Sequence, residues 1–261
     1  MNSLHSFSGV DEHAVVVTRV AERHWHALDD DLVVGRGEAW HRPDGRTFLS
    51  IDAWHGPVFD RLADAMLADL PRPLYTVVDE ADLDVTSHWE RAGFMTRRRE
   101  WEYLVPTAGL GRVRPSPGVR IVAVGEAEEG PLRTLDRVLR AEVEATVGWQ
   151  ELPAEVLAGP DGDTVLDPSK YAVAVHSDQY VGLVRVVPVR RQARIGLTAV
   201  RADMRRRGVA RTLLAQVLGS LHGRGIELAW AEVNESNGAA LALFEGIGAR
   251  RGSSNLELVL G

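Results

Sequence analysis

Hydrophobic positions along the chain change period in a regular order. From Ile195 to Val200 they run almost unbroken and β-branched, as in a buried strand. From Val209 to Leu221 they recur at Val209, Leu213, Leu214, Val217, Leu218 and Leu221, the spacing of one helix face. Leu228 to Val233 reads as the next strand, and Asn234 to Gly248 as a second helix. Earlier, Val119 to Val124 predicts a strand and Glu126 to Val143 a helical region. Tyr171 to Val189 predicts a hairpin with Ser177-Asp178-Gln179 as its turn. The order β-α-β-β-β-α-β-α-β is that of a mixed α/β sheet.

The upstream half repeats the later part of that order. Leu32 to Trp40 and Arg46 to Trp54 flank Pro43-Asp44-Gly45, a hairpin signal. Val58 to Leu70 predicts a helix and Leu74 to Val78 a strand, and the segment Val85 to Phe94 follows, ending in HWERAGF. Thr107 to Gly118, TAGLGRVRPSPG, concentrates glycine and proline as a linker does. The expected division is therefore residues 1–106, a linker 107–118, and residues 119–261. Gly35-Arg36-Gly37 and Gly223-Arg224-Gly225 read as turn punctuation.

Between the strand ending at Val200 and the helix starting at Val209 lies an arginine-glycine loop. Gly208 permits a close backbone approach to a ligand, and small Ala210 keeps the first helical turn open. The unpaired N–H groups of a helix start converge on an anion, which the helix dipole also favours. Arg205, Arg206, Arg207 and Arg211 add full positive charges there. The corresponding place upstream holds only WHGP, residues 54–57, with neither arginines nor the glycine spacing.

Arg205 to Ala210 fit the pattern Gln/Arg-x-x-Gly-x-Gly/Ala, and Asn234 to Gly248 reads NESNGAALALFEGIG, with Asn237, Ala240, Leu243, Glu245 and Gly248 in register with a second signature. In both, the chain resembles the GCN5-related N-acetyltransferases (GNAT). HWERAGF at residues 88–94 resembles the second signature again, with Trp89 at its tyrosine position. The resemblance implies two tandem GNAT-like acetyltransferase domains, the first degenerate and without its coenzyme loop. It implies acetyl-CoA as cosubstrate, its pyrophosphate held at Arg205, Arg206, Arg207, Gly208, Val209, Ala210 and Arg211. Backbone groups of Thr198, Ala199 and Val200 are expected to meet the pantetheine arm, which requires the sheet to splay there. Asn237 caps its helix and, by resemblance, also contacts the arm.

An ammonium must lose a proton before it can attack a thioester, so direct transfer needs a base. Family members that acetylate the terminal alanine of ribosomal proteins carry a glutamate at the offset of Glu232, which makes it the candidate catalytic residue; the alternative is a solvated strand-end carboxylate. The other frequent base position, one strand earlier, holds Arg194 or Ile195. Phe244 stands where the family has the tyrosine proposed to protonate the departing thiolate, and Ala249 where it has phenylalanine. Phe244 can still pack against the thioester end of the coenzyme, or be a plain core aromatic. Because phenyl has no proton to give, a coenzyme A-binding module without efficient catalysis stays open beside the N-acetyltransferase reading. Glu142, Glu144, Trp149, Glu151 and Glu155 form an acidic and aromatic set suited to a small-molecule or peptide amine acceptor.

Composition narrows the remaining classes. Cysteine is absent from the 261 residues, which removes disulfides, thiolate catalysis and cysteine-ligated zinc. The net charge of −7 and the lack of any second basic stripe argue against nucleic acid as partner. No apolar run has spanning length and no secretory pattern opens the chain, so neither membrane nor export is expected and the reading is cytoplasmic. His24 and His26 lie two apart without a further ligand at diagnostic spacing, and no metal site is expected.

Overall fold

In a computed structural model, residues 15–42, 44–108, 113, 116–146, 148 and 166–261 are described. The first half holds β1 (Val16–Ala21), β2 (His24–Asp29), β3 (Leu32–His41), β4 (Thr47–Ala53), α1 (Gly56–Asp69), β5 (Leu74–Asp79), α2 (Leu83–Arg91) and β6 (Met95–Pro106). The second half holds β7 (Val119–Val122), α3 (Glu129–Glu144), β8 (Tyr171–His176), β9 (Gln179–Val189), β10 (Gln192–Val200), α4 (Val209–Gly223), β11 (Leu228–Asn234), α5 (Gly238–Gly246) and β12 (Arg250–Leu260). The second half thus has the β-α-β-β-β-α-β-α-β order read from the pattern. At the β8–β9 hairpin Ser177 and Asp178 both take left-handed φ, 48° and 58°, the two-residue turn that matches strand twist. Gln179 already belongs to the strand.

All twelve strands join one mixed sheet in the order β1-β2-β3-β4-β5-β12-β6-β11-β10-β9-β8-β7. That order contains an exchange the sequence did not reveal. The last strand of the second half, β12, lies between β5 and β6 of the first, and β6 lies between β11 and β12 of the second. The cores follow the exchange: Leu256, Leu258 and Leu260 pack with Trp25, Phe59, Leu62, Met66 and Trp89 of the first half. Tyr103 and Val105 pack with Val209, Leu213, Leu218 and Phe244 of the second. Helices α4 and α5 share the face of that second core, while α3 packs on the opposite face with Tyr171, Val173, Val175 and Leu183.

Glu257 of β12 is buried and meets four guanidinium groups of the first half. Arg97 lies at 2.6 Å, Arg98 at 3.1 Å, Arg46 at 3.4 Å and Arg42 at 3.9 Å. A buried carboxylate is tolerated only when paired in this way.

One expectation is corrected. Gly35 and Gly37 are not turn punctuation but lie inside β3, where α1 rests on the sheet. A Cβ at Gly35 would come within 2.8 Å of Val58 and 2.9 Å of Leu62, and one at Gly37 would overlap Met66. The linker is anchored rather than free at its ends: Thr107 N–H donates to Glu227 O at 3.1 Å and its hydroxyl to Ile226 O at 2.6 Å, while Ser116 is buried near α4. Pro43 of the hairpin signal lies outside the described residues.

Candidate functional site

β10 and β11 run parallel but pair only at Ala193 with Ala229 and Arg194 with Trp230. Beyond that point the two strands diverge, while β10 stays paired to β9 through Val200. A register shift between Ile195 and Leu197 marks where β10 bends away. Thr198, Ala199 and Val200 therefore lie along the open side of the splay. The Thr198 hydroxyl oxygen is buried there without a hydrogen-bond partner among the described residues.

The splay opens toward the N-terminus of α4. Gly208 is its N-cap, with φ 82°, a left-handed backbone that disfavours any side chain, and open space where a Cβ would stand. Arg206 also has left-handed φ, 63°. The first helical N–H to find a partner is that of Thr212, which donates to Gly208 O at 2.9 Å. Val209, Ala210 and Arg211 thus offer N–H groups with no intrahelical acceptor. Arg206, Arg207 and Arg211 are exposed beside them, and no carboxylate pairs with them among the described residues.

Residues outside the loop hold it in place, and one of them, Ser116, was not singled out in the sequence. The Ser116 hydroxyl donates to Arg207 O at 2.8 Å, and Ser116 N–H donates to Thr212 Oγ1 at 3.1 Å. The Glu142 carboxylate of α3 accepts from Ala202 N–H at 2.9 Å and from Arg205 Nη2 at 2.7 Å. Arg205 Nε donates in turn to Val200 O at 3.0 Å. Arg205 is therefore tied to the loop's own frame, and Glu142, expected at the acceptor side, braces the arginine loop instead. Glu144 is exposed at the end of α3, and Trp149, Glu151 and Glu155 lie outside the described residues. Contacts across some sixty residues of sequence leave no local signal.

Glu232 lies on the face opposite α4 and α5, just past the last rung of the β10–β11 ladder. It is not a solvated edge carboxylate: β11 is an inner strand, and Arg194 of β10 forms a close ion pair with Glu232 Oε2. The Arg194 guanidinium also stacks over Trp230, 5.1 Å from the ring centre. Nearby on the same face, burial pushes the Glu100 carboxyl above its ordinary range; Arg98 counters this, and Glu232 and Glu257 push it further up.

Asn237 caps α5, its side chain accepting from Ala240 N–H at 3.1 Å. Phe244 is buried and stacks on Tyr103 of β6 with ring centres 5.8 Å apart. The Tyr103 hydroxyl donates to Glu245 at 2.9 Å and accepts from Arg251 Nε at 2.9 Å, so this phenol ties α5 to the exchanged strands. In the first half β4 and β5 also part after two rungs, Thr47–Leu74 and Phe48–Tyr75, but there the Thr76 hydroxyl donates to Leu49 O at 3.0 Å. Only Trp54 and His55 separate β4 from α1, and Trp89 fills the core against Phe59 and Phe94. His24 faces Glu38 at 3.5 Å, and no group of three or more metal-ligating side chains occurs among the described residues.

A splayed parallel pair leading to a helix start with free N–H groups is a seat for an extended ligand ending in an anion. Residues 135–249 match the acetyltransferase (GNAT) family. Over 50 residues, or 19% of the chain, the sequence is 46% identical to the [ribosomal protein bS18]-alanine N-acetyltransferase of Salmonella typhimurium and 44% identical to that of Escherichia coli. The chain spans about a third of the length of these curated relatives, 34%. Among solved structures it is similar to a GCN5-related N-acetyltransferase from Sphaerobacter thermophilus, with a TM-score of 0.65 and 16% identity over 93% of this chain and 82% of that one. It is also similar to a tandem GNAT protein from the clavulanic acid biosynthesis pathway, with a TM-score of 0.64 and 14% identity over 91% and 82%. At such identities the structural likeness speaks for the fold. Residues 135–249 are thus similar to GNAT acetyltransferases, and acetyl-CoA is the cosubstrate of that family. The orphan N–H groups, the splay and the unpartnered Thr198 hydroxyl all fit the GNAT cosubstrate. No described helix is long and apolar enough to cross a membrane.

Proposed function

We propose that the chain is an acetyl-CoA-dependent N-acetyltransferase that modifies a primary amine in the cytoplasm. In this reading it consists of two tandem repeats: residues 1–106 have lost the coenzyme loop, and residues 119–261 keep it. The parting of β10 from β11 after Arg194 and Trp230, beside the left-handed Gly208, carries the proposal. The N–H groups of Val209, Ala210 and Arg211, with Arg206, Arg207 and Arg211, hold the pyrophosphate. Thr198 to Val200 pair with the pantetheine amides. Glu232, held beside the splay by Arg194, takes the proton of the acceptor amine, and backbone N–H groups polarise the thioester carbonyl. The similarity to alanine N-acetyltransferases of ribosomal protein bS18 supports a peptide N-terminus among the acceptor classes, beside small amines and lysine.

Calorimetry with coenzyme A tests the site. One equivalent per chain is expected, and Gly208→Trp should abolish the heat; two equal sites, or binding indifferent to that substitution, would overturn it. Thiol release from acetyl-CoA against spermidine, kanamycin, free amino acids, an alanine-terminal peptide and a lysine peptide tests the chemistry. At least one acceptor should rise well above hydrolysis. Glu232→Gln should slow that transfer by about a hundredfold, shift its optimum to higher pH and leave coenzyme affinity alone. A coenzyme-binding module without catalysis is the second reading, favoured by the buried phenyl ring at Phe244. Tight coenzyme binding with no acceptor turned over would establish it.

A further inference from the structure

We propose that the first half of the chain completes the acceptor site: Glu102 of β6 joins Glu232 to seat the acceptor as an ammonium ion, so the preferred substrate is an amine carried as a cation. The inference rests on the transferase reading above. It begins with the strand exchange, which places β6 directly against β11. Glu102 is the ladder partner of Glu232, so the two side chains leave the same face with Cβ atoms about 4.5–5.5 Å apart. Like charges so opposed repel and call for a counter-ion.

Arg194 supplies one positive charge, and it is committed to Glu232. Glu102 is only partly exposed and has no cationic partner among the described residues. Among the described residues, one ion pair serves the two opposed carboxylates. Glu100 stands one ladder step away beside Asn234; burial is the main cause of its raised carboxyl, and Glu232 adds to it. The splay distinguishes this pair from an ordinary acidic surface. The thioester end of an extended ligand in the splay approaches this level of the sheet, and an amine entering from the opposite face meets Glu102 and Glu232 together.

In the transfer, the seated ammonium gives one proton to Glu232 while Glu102 stays ionised. The freed nitrogen lone pair forms the C–N bond at the acetyl carbonyl, and the C–S bond breaks with its electron pair on sulfur. The second nitrogen proton reaches the thiolate, giving free thiol and a neutral amide, and Glu232 returns its proton to water. Glu102 binds and orients; it transfers nothing.

Glu102→Gln removes the charge and keeps the shape. With the panel amine that wild type turns over fastest, kcat/KM should fall about tenfold or more, carried by the KM for the amine, while the KM for acetyl-CoA stays within about twofold. Methoxyamine, a nucleophile uncharged near pH 7, should lose little, and Glu102→Asp should restore part of the amine affinity. A merely structural role would impair both nucleophiles alike. An independent readout on wild type is salt: the KM for the cationic amine should rise with ionic strength and that for methoxyamine should not. An amine KM unmoved by Glu102→Gln, or equal losses with the two nucleophiles, would overturn the inference while leaving the transferase reading intact. If Glu102→Gln fails to fold, a salt-independent amine KM in wild type would overturn it. Absence of turnover with every amine would overturn the transferase reading, and this inference with it.

Discussion

At the scale of single residues, Phe244 bears on the proposed chemistry and Glu100 on the pH dependence of stability. Phe244 offers no proton to a departing thiolate, and its ring is stacked on Tyr103, whose hydroxyl is already committed to Glu245 and Arg251. A thiol with a pKa near 8.5 leaves tolerably as thiolate, so under the proposed transferase function the phenyl ring would slow transfer without forbidding it. Phe244→Tyr should therefore leave kcat similar or raise it by about tenfold at most, whereas a dedicated binding module stays inert; a steady-state assay separates them. Glu100 offers a test of the sheet face itself. Its folded carboxyl titrates above the unfolded value, so between those two values the folded state binds more protons and stability falls as pH rises. Glu100→Gln, which never ionises, should gain stability relative to wild type near pH 7 and lose that advantage toward pH 4. Urea midpoints at the two pH values report it, and an advantage that grows in acid would refute the assignment.

At the scale of elements, the arginine-glycine loop is positioned from outside itself. Ser116, Glu142 and Val200 hold the arginine loop through Arg207 O, Ala202 N–H and Arg205, so its shape depends on α3, on β10 and on the segment preceding β7. The first half solves a different packing problem. There α1 lies so close on β3 that Gly35 and Gly37 have no room for a side chain. Gly37→Val should cost roughly 1–3 kcal/mol through displacement of Met66, read as a lower urea midpoint with unchanged coenzyme stoichiometry. A variant as stable as wild type would show that α1 moves freely off the sheet.

At the scale of the molecule, the exchange of β6 and β12 makes each half a part of the other's core. Leu256, Leu258 and Leu260 belong to the first core, Tyr103 and Val105 to the second, and Glu257 is buried among first-half arginines. A chain cut to residues 119–261 loses β5 and β6, which leaves β11 with one open edge and β12 without a partner strand. It should be insoluble or bind coenzyme A poorly, while the whole chain unfolds in one transition. A soluble, cooperatively folding 119–261 fragment with full coenzyme affinity would show the exchange to be dispensable.

The elements of the second half were legible in the chain because their signals are local. Apolar spacing defines α4, left-handed turn residues define the β8–β9 hairpin, and glycine at position 208 marks a helix start. The loop and the Asn237 cap were legible for the same reason, since a cap and the N–H that donates to it lie three residues apart. Other features were decided only by the tertiary structure. Nothing near residue 102 announces that it faces residue 232, nothing near 142 announces that it braces 202 and 205, and nothing in the GRG of residues 35–37 distinguishes a turn from a glycine contact with a helix. Strand pairing between distant segments is set by which apolar faces can be buried together over the whole sheet. That is a property of the assembled cores, and no window of sequence contains it.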